Sequence, residues 1–158
     1  MLTRGEKSII SLLAVNDFGL SKFRLNAMMF LISKRIPIYY FISSKHGLIS
    51  FQLCHELSEL EGRGLLARHD EMITLRNEML PPIENKIKNI IKIYTSKFSS
   101  MDDKTLNEYI NHDCVSNVFG NRNDFAAEES NITTIGYEGK TIDEFLNELI
   151  KNKIDILI

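Results

Sequence analysis

No apolar run in this 158-residue chain reaches the roughly 18 residues that a bilayer span needs. Met1 to Gly5 lacks the charged-then-apolar layout of a secretion signal. Membrane insertion and export are therefore not expected, and a cytoplasmic location is. Cysteine is scarce: Cys54 and Cys114 are the only two and lie far apart, so without export free thiols are expected rather than a bridge. Internal repeats and low-complexity tracts are also lacking. What is present is a globular composition, 44% hydrophobic and 25% charged. That suffices for one core of roughly 100 residues and a smaller appendage.

The net charge of −2 conceals an asymmetry. Cut after Phe98, residues 1–98 carry 14 Lys+Arg against 9 Asp+Glu, a balance of +5, and residues 99–158 carry 5 against 12, a balance of −7. A basic N-terminal part is permissive for nucleic acid, and an acidic remainder can fold back on it or repel a phosphate backbone.

Hydrophobic spacing predicts the elements. Ile9, Ile10 and Leu13 mark a first helix over 6–16, which Asn16-Asp17-Phe18-Gly19 breaks. Ser21 caps a second helix with Leu25, Met28, Met29 and Ile32 on one stripe, and Leu20 with Leu25 matches a hydrophobic staple. After Pro37, the β-branched and aromatic run Ile38–Ile42 predicts a buried strand, followed by a turn over 43–47. Ser50 caps a third helix with Leu53, Cys54, Leu57 and Leu60 inward, and Gly62 and Gly64 end it. Leu65–Arg68, a polar His69-Asp70-Glu71 tip and Met72–Leu75 predict a hairpin. Pro81 and Pro82 open a fourth helix with Ile83, Ile87, Ile90, Ile91 and Tyr94 on one side and Lys88 and Lys92 on the other. Ser100 with Asp103 starts a short fifth helix.

Residues 113–131, rich in Asn, Asp, Ser and Glu, predict a linker. Beyond it, Ile132–Tyr137 predicts a strand, Thr141 and Glu144 a capping box opening an amphipathic helix, and Ile154–Ile158 a second strand, a parallel βαβ unit. The expected fold class is therefore α+β: a mainly helical winged-helix-like domain over 1–112, the linker, and a truncated βαβ fragment over 132–158.

Thr134-Ile135-Gly136-Tyr137, Thr141-Ile142-Asp143-Glu144-Phe145 and Ile154–Ile158 together resemble the opening of the domain of unknown function 488 family. That family begins with a Thr-Ile-Gly strand, a helix with Phe and Leu at these spacings, and a second strand. The resemblance covers residues 132–158 and implies no activity, because the family's later Cys and His residues have no counterpart here. Residues 7–76, through Phe23–Leu31, Lys45-His46-Gly47 and Leu57–Leu65, resemble the helical region that accompanies that domain and, more distantly, the Panacea antitoxin domain. Those relatives carry Tyr and Pro where His46 and Leu48 stand.

Motifs for catalysis fail on their spacing. Gly139-Lys140-Thr141 resembles a phosphate-binding loop, yet the required earlier Gly is replaced by Thr134. Cys54 and His55, neighbours on a helix, diverge by about 100° and cannot readily share an ion. No Ser/His/Asp set stands out. No metal and no cofactor are expected, and Glu56, Glu59 and Glu61 read as a solvated helix face. With Gln52 and His55, those acids would make the third helix a poor phosphate partner. The candidate nucleic-acid contacts are then Lys22 and Arg24, Lys34 and Arg35, Arg68 on the wing, and Lys88 and Lys92. The expected function is a non-enzymatic nucleic-acid-binding or regulatory module, with DNA as partner. The alternative is an antitoxin-like protein-interaction module or the remnant of a longer protein. An apolar strand at 154–158 without neighbours favours docking on the N-terminal domain or a two-fold homodimer through residues 132–158.

Overall fold

The computed structural model describes residues 1–17, 19–44, 47–76, 80–111 and 139–151. In chain order the elements are α1 (Arg4–Val15), β1 (Gly19–Ser21), α2 (Lys22–Ser33), β2 (Ile42–Ser44), β3 (Gly47–Ile49), α3 (Phe51–Gly62), β4 (Leu66–His69), β5 (Met72–Leu75), α4 (Asn85–Phe98), α5 (Asp103–Tyr109) and α6 (Ile142–Lys151). The architecture is α+β. β1, β5 and β4 form an antiparallel sheet in that order, with Gly19 opposite Thr74 and Leu66 opposite Leu75. A helix, a short strand, a second helix, the β2–β3 hairpin and a third helix lead to the β4–β5 hairpin, whose second strand pairs back to β1, a strand not expected from the sequence. The hairpin turns at Asp70, which takes the left-handed conformation at φ 53° that Asp tolerates better than most side chains.

α2 is the axis of the core. Leu25, Ala27, Met28, Met29, Phe30, Leu31 and Ile32 are all buried, so the helix is apolar on every side rather than along one stripe, the pattern of a helix surrounded by protein. Ser21 Oγ accepts the Arg24 N–H at 3.1 Å, and Leu20 and Leu25 are both buried as a staple requires. α1 and α4 pack on α2 and on each other, placing Ile9, Leu12, Leu13, Ile87, Ile91 and Phe98 in one core. α1 starts two residues earlier than its apolar spacing predicts, because Thr3 and Glu6 form a reciprocal capping box.

Five expectations need correction. The run Ile38–Ile42 is not a strand: only Ile42 enters β2, which pairs with β3. Tyr39 and Phe41 are buried by packing instead of by a sheet ladder. Cys54 is exposed, not inward, whereas Glu56 is buried, not solvated. α5 is capped by Asp102, whose carboxylate accepts the Thr105 N–H at 2.7 Å, not by Ser100. Finally, α4 begins at Asn85, after the proline pair, with no side-chain cap at Glu84. Glu84 instead pairs with Arg4 at 2.9 Å.

Glu56 is buried because it has partners. Tyr39 Oη donates to its Oε2 and Thr3 Oγ1 donates to its Oε1 at 2.9 Å. Beside it, buried Glu6 accepts from Thr3 N–H and from Arg63 at 2.7 Å. This satisfied network ties α1, the 37–41 segment and α3 together. It also fixes Gly5, where a Cβ would overlap the Glu56 carboxylate and the Tyr39 ring.

The capping box at Thr141 and Glu144 is present, with Glu144 N–H donating to Thr141 Oγ1 at 3.2 Å and Thr141 N–H to Glu144 at 2.7 Å. α6 packs on α3 and β2, so this part of 132–158 docks on the N-terminal unit. The predicted linker and the strands at 132–137 and 154–158 lie outside the described residues, as does the contact a homodimer through them would use.

Candidate nucleic-acid interface

The seven basic residues singled out by sequence do not form one surface. Arg24 is spent internally: its guanidinium pairs with Asp103 at 3.2 Å and donates to the carbonyls of Phe98, at 2.8 Å, and Met101. That binds the α4–α5 turn to α2 and leaves little of the fork for a ligand. Arg68 pairs with Glu61 of α3 at 3.3 Å. Lys22 is exposed at the start of α2, where its N–H bonds the Glu71 carbonyl at 2.7 Å, beside the hairpin tip.

Arg35 is placed differently. It follows the end of α2 and its Nε donates to Tyr94 Oη of α4 at 3.1 Å. The Tyr94 hydrogen bond, then the charge interaction with Tyr94 and more weakly with Tyr109, hold its guanidinium above its usual pKa. Tyr94 stacks obliquely on Phe98 at 5.8 Å between ring centroids, and Phe98 on Tyr109 at 5.2 Å. Lys97 lies over both Phe98 and Tyr109, at 5.1 and 5.5 Å. Lys34, next to Arg35, lies over Phe30 at 5.9 Å. Phe30 and Phe98 are themselves buried, so the end of α2, the flank of α4 and α5 present cations beside the half-buried rings of Tyr94 and Tyr109.

α4 carries Lys86, Lys88, Lys92 and Lys97 and no acidic residue. At about 100° per residue, Lys86 and Lys97 fall within roughly 80° of Tyr94, while Lys88 and Lys92 lie about 120–160° to its other side. Thr95 on that other side accepts from Asn16 of α1 at 3.3 Å. Lys34 and Arg35 therefore join Lys86 and Lys97, which sequence reasoning passed over, and Lys88 with Lys92 form a separate exposed pair toward α1. The missed signal was available: Lys86, Ile90, Ile93 and Lys97 recur at helical spacing, and Ile93 is 61% exposed.

α3 offers less. Gln52, His55 and Glu59 are exposed as expected, but its first turn is occupied. Asp143 of α6 accepts the Phe51 N–H at 3.1 Å and the Ser50 hydroxyl at 3.4 Å. Moreover, α2 and α3 are separated by residues 34–50, including the β2–β3 hairpin, where a helix-turn-helix has a turn of about 3–4 residues.

Among the described residues, no group of three His, Cys, Asp or Glu is arranged to hold a metal ion, and no helix is long and apolar enough to cross a membrane. A shallow depression lined by Leu57, Glu61, Leu66, Ala67, Arg68 and Ile73 has no room for a ligand. Comparison with protein-family models, with curated proteins and with solved structures gives no match to this chain.

Proposed function

We propose that the chain is a non-enzymatic nucleic-acid-binding module that holds the phosphate backbone through the face built from the end of α2, α4 and α5. The observation that carries this reading is the pairing of Arg35 with Tyr94 and of Lys97 with Tyr109, two exposed cations each against a half-buried ring, packed over the buried Phe98. Cations neutralise phosphates and release counterions, and ring faces accept bases without sequence preference. Such a face gives affinity and little sequence discrimination. The winged-helix-like order of elements agrees with the reading, and the resemblance of residues 132–158 to the domain of unknown function 488 family adds no activity to it.

Fluorescence anisotropy with a mixed-sequence duplex and a single strand tests it. Arg35→Glu/Lys97→Glu is expected to weaken binding at least tenfold, and Lys88→Glu/Lys92→Glu by under threefold. Equal losses in the two pairs would mean that binding is diffuse and the assigned face wrong. A protein-interaction module is the second reading, favoured by the seating of amphipathic α6 against α3 and β2 in the manner of a helix in a groove. Recovery of one stable partner from the native host, with no nucleic-acid binding at low salt, would decide for it.

A further inference from the structure

We infer that α6 is an intramolecular latch that masks the first turn of α3, and that its release lets a nucleic-acid duplex engage that helix as well as the basic face. The inference rests on the nucleic-acid reading above. Residues 34–50 part α2 from α3, so the two are no helix-turn-helix, but a single helix lying in the major groove can reach base edges with the polar side chains of its first turn. Here that turn carries Gln52 and His55, both exposed and both able to bond base edges. The same turn is closed by a segment more than ninety residues away in sequence: Asp143, 1% exposed, takes the Phe51 N–H and the Ser50 hydroxyl.

One further bond holds the latch: Asn147 Nδ2 donates to the Phe41 carbonyl at 2.8 Å. A duplex approaching α3 meets the bulk of α6 and the carboxylates of Asp143 and Glu144, which oppose phosphate.

The contact is built to open. A ten-residue helix is marginal alone, so α6 owes its order to this seat. The seat is imperfect, because Asn147 Oδ1 is buried with no hydrogen-bond donor among the described residues, a penalty absent once the helix leaves. Each side of the interface also keeps apolar surface in solvent: Tyr40 and Phe51 on one side are 40% and 45% exposed, and Ile142 on α6 is 60% exposed.

The test uses the full chain, Asp143→Ala/Asn147→Ala, and Asp17→Asn, which changes charge equally at an exposed residue away from α6. Hydrogen exchange at the Phe51 amide reports the latch, duplex anisotropy reports binding, and circular dichroism together with Asn147→Ala alone guards against global unfolding. The expected result is Phe51 exchange at least tenfold faster and duplex affinity at least fivefold higher in the double variant, with Asp17→Asn unchanged in both. Faster exchange with affinity unchanged, or raised no more than by Asp17→Asn, overturns the latch and leaves the nucleic-acid reading intact. Unchanged exchange overturns it too, since Asp143 would then not be holding α6. No duplex binding by any form at low salt overturns both.

Discussion

Removing one oxygen from the core, by Tyr39→Phe, isolates the network that sets α3 against α1. Tyr39 and Glu56 are 4% and 6% exposed. The tyrosine hydroxyl supplies one of the two donors that compensate the buried carboxylate, Thr3 being the other. Phenylalanine keeps the ring and its packing, so the change is confined to the hydrogen bond. Bonds to charged groups contribute about 1.5–3 kcal/mol net, and a buried oxygen left unpaired costs within the same range. The expected loss is therefore about 2–3 kcal/mol, and with a urea dependence of roughly 2 kcal/mol per molar the midpoint should fall by about 1 M. Circular dichroism is the appropriate probe, because the chain has no tryptophan.

Alkali gives a second reading of the same group. Burial first, then the charge of Glu56 and the hydrogen bond to it, push the Tyr39 hydroxyl far above its usual 10.0. The folded state keeps a proton that the unfolded chain releases near 10.0, so this contribution is complete below that pH and declines as pH rises beyond it. The difference between wild type and Tyr39→Phe should accordingly narrow above pH 10.0. A midpoint within about 0.2 M of wild type, or parallel pH profiles, would refute the idea that the Tyr39–Glu56 bond stabilises the fold.

Two further outcomes test other parts of the structure. Gly5→Ala would gain about 1 kcal/mol of helix propensity at an open site, but here the new methyl overlaps Glu56 and Tyr39; thermal unfolding should show a net loss of about 1–3 kcal/mol, and any stabilisation would contradict the packing described. The Glu144 carboxyl is held below its ordinary 4.5 by the Thr141 N–H and then by the Tyr40 hydroxyl. Its contribution to α6 is therefore complete above 4.5 and lost as pH falls through the lower folded value, so amide exchange on acidification should show α6 opening before α1 and α2.

The local elements were legible because their signals are local. Ser21, Ser50 and Thr141 each cap the helix that their spacing announces, and the hairpin at Asp70 follows from two short apolar runs around a polar tip. Glu56 was legible in principle: it stands three residues after Leu53 and four before Leu60, so it lies closer to the buried stripe than Cys54 does. Reading residue type instead of position put the thiol inside and the carboxylate outside. Ile38–Phe41 has strand composition but bonds to no strand among the described residues, which composition cannot report. The basic face escaped for a different reason, since its members come from three helices and meet only when α2, α4 and α5 pack. The Asp143–Phe51 bond likewise joins parts of the chain that no periodicity connects.

The central claim is that four cations, Lys34, Arg35, Lys86 and Lys97, hold phosphates. Duplex binding measured across a salt series addresses it most directly. Four neutralised phosphates give a slope of about −3.6 for log affinity against log salt, or a loss of roughly 150-fold between about 50 and 200 mM. Arg35→Glu/Lys97→Glu should reduce that slope by about 2. No binding at about 50 mM salt, or a slope that this pair of substitutions leaves unchanged, would contradict the account.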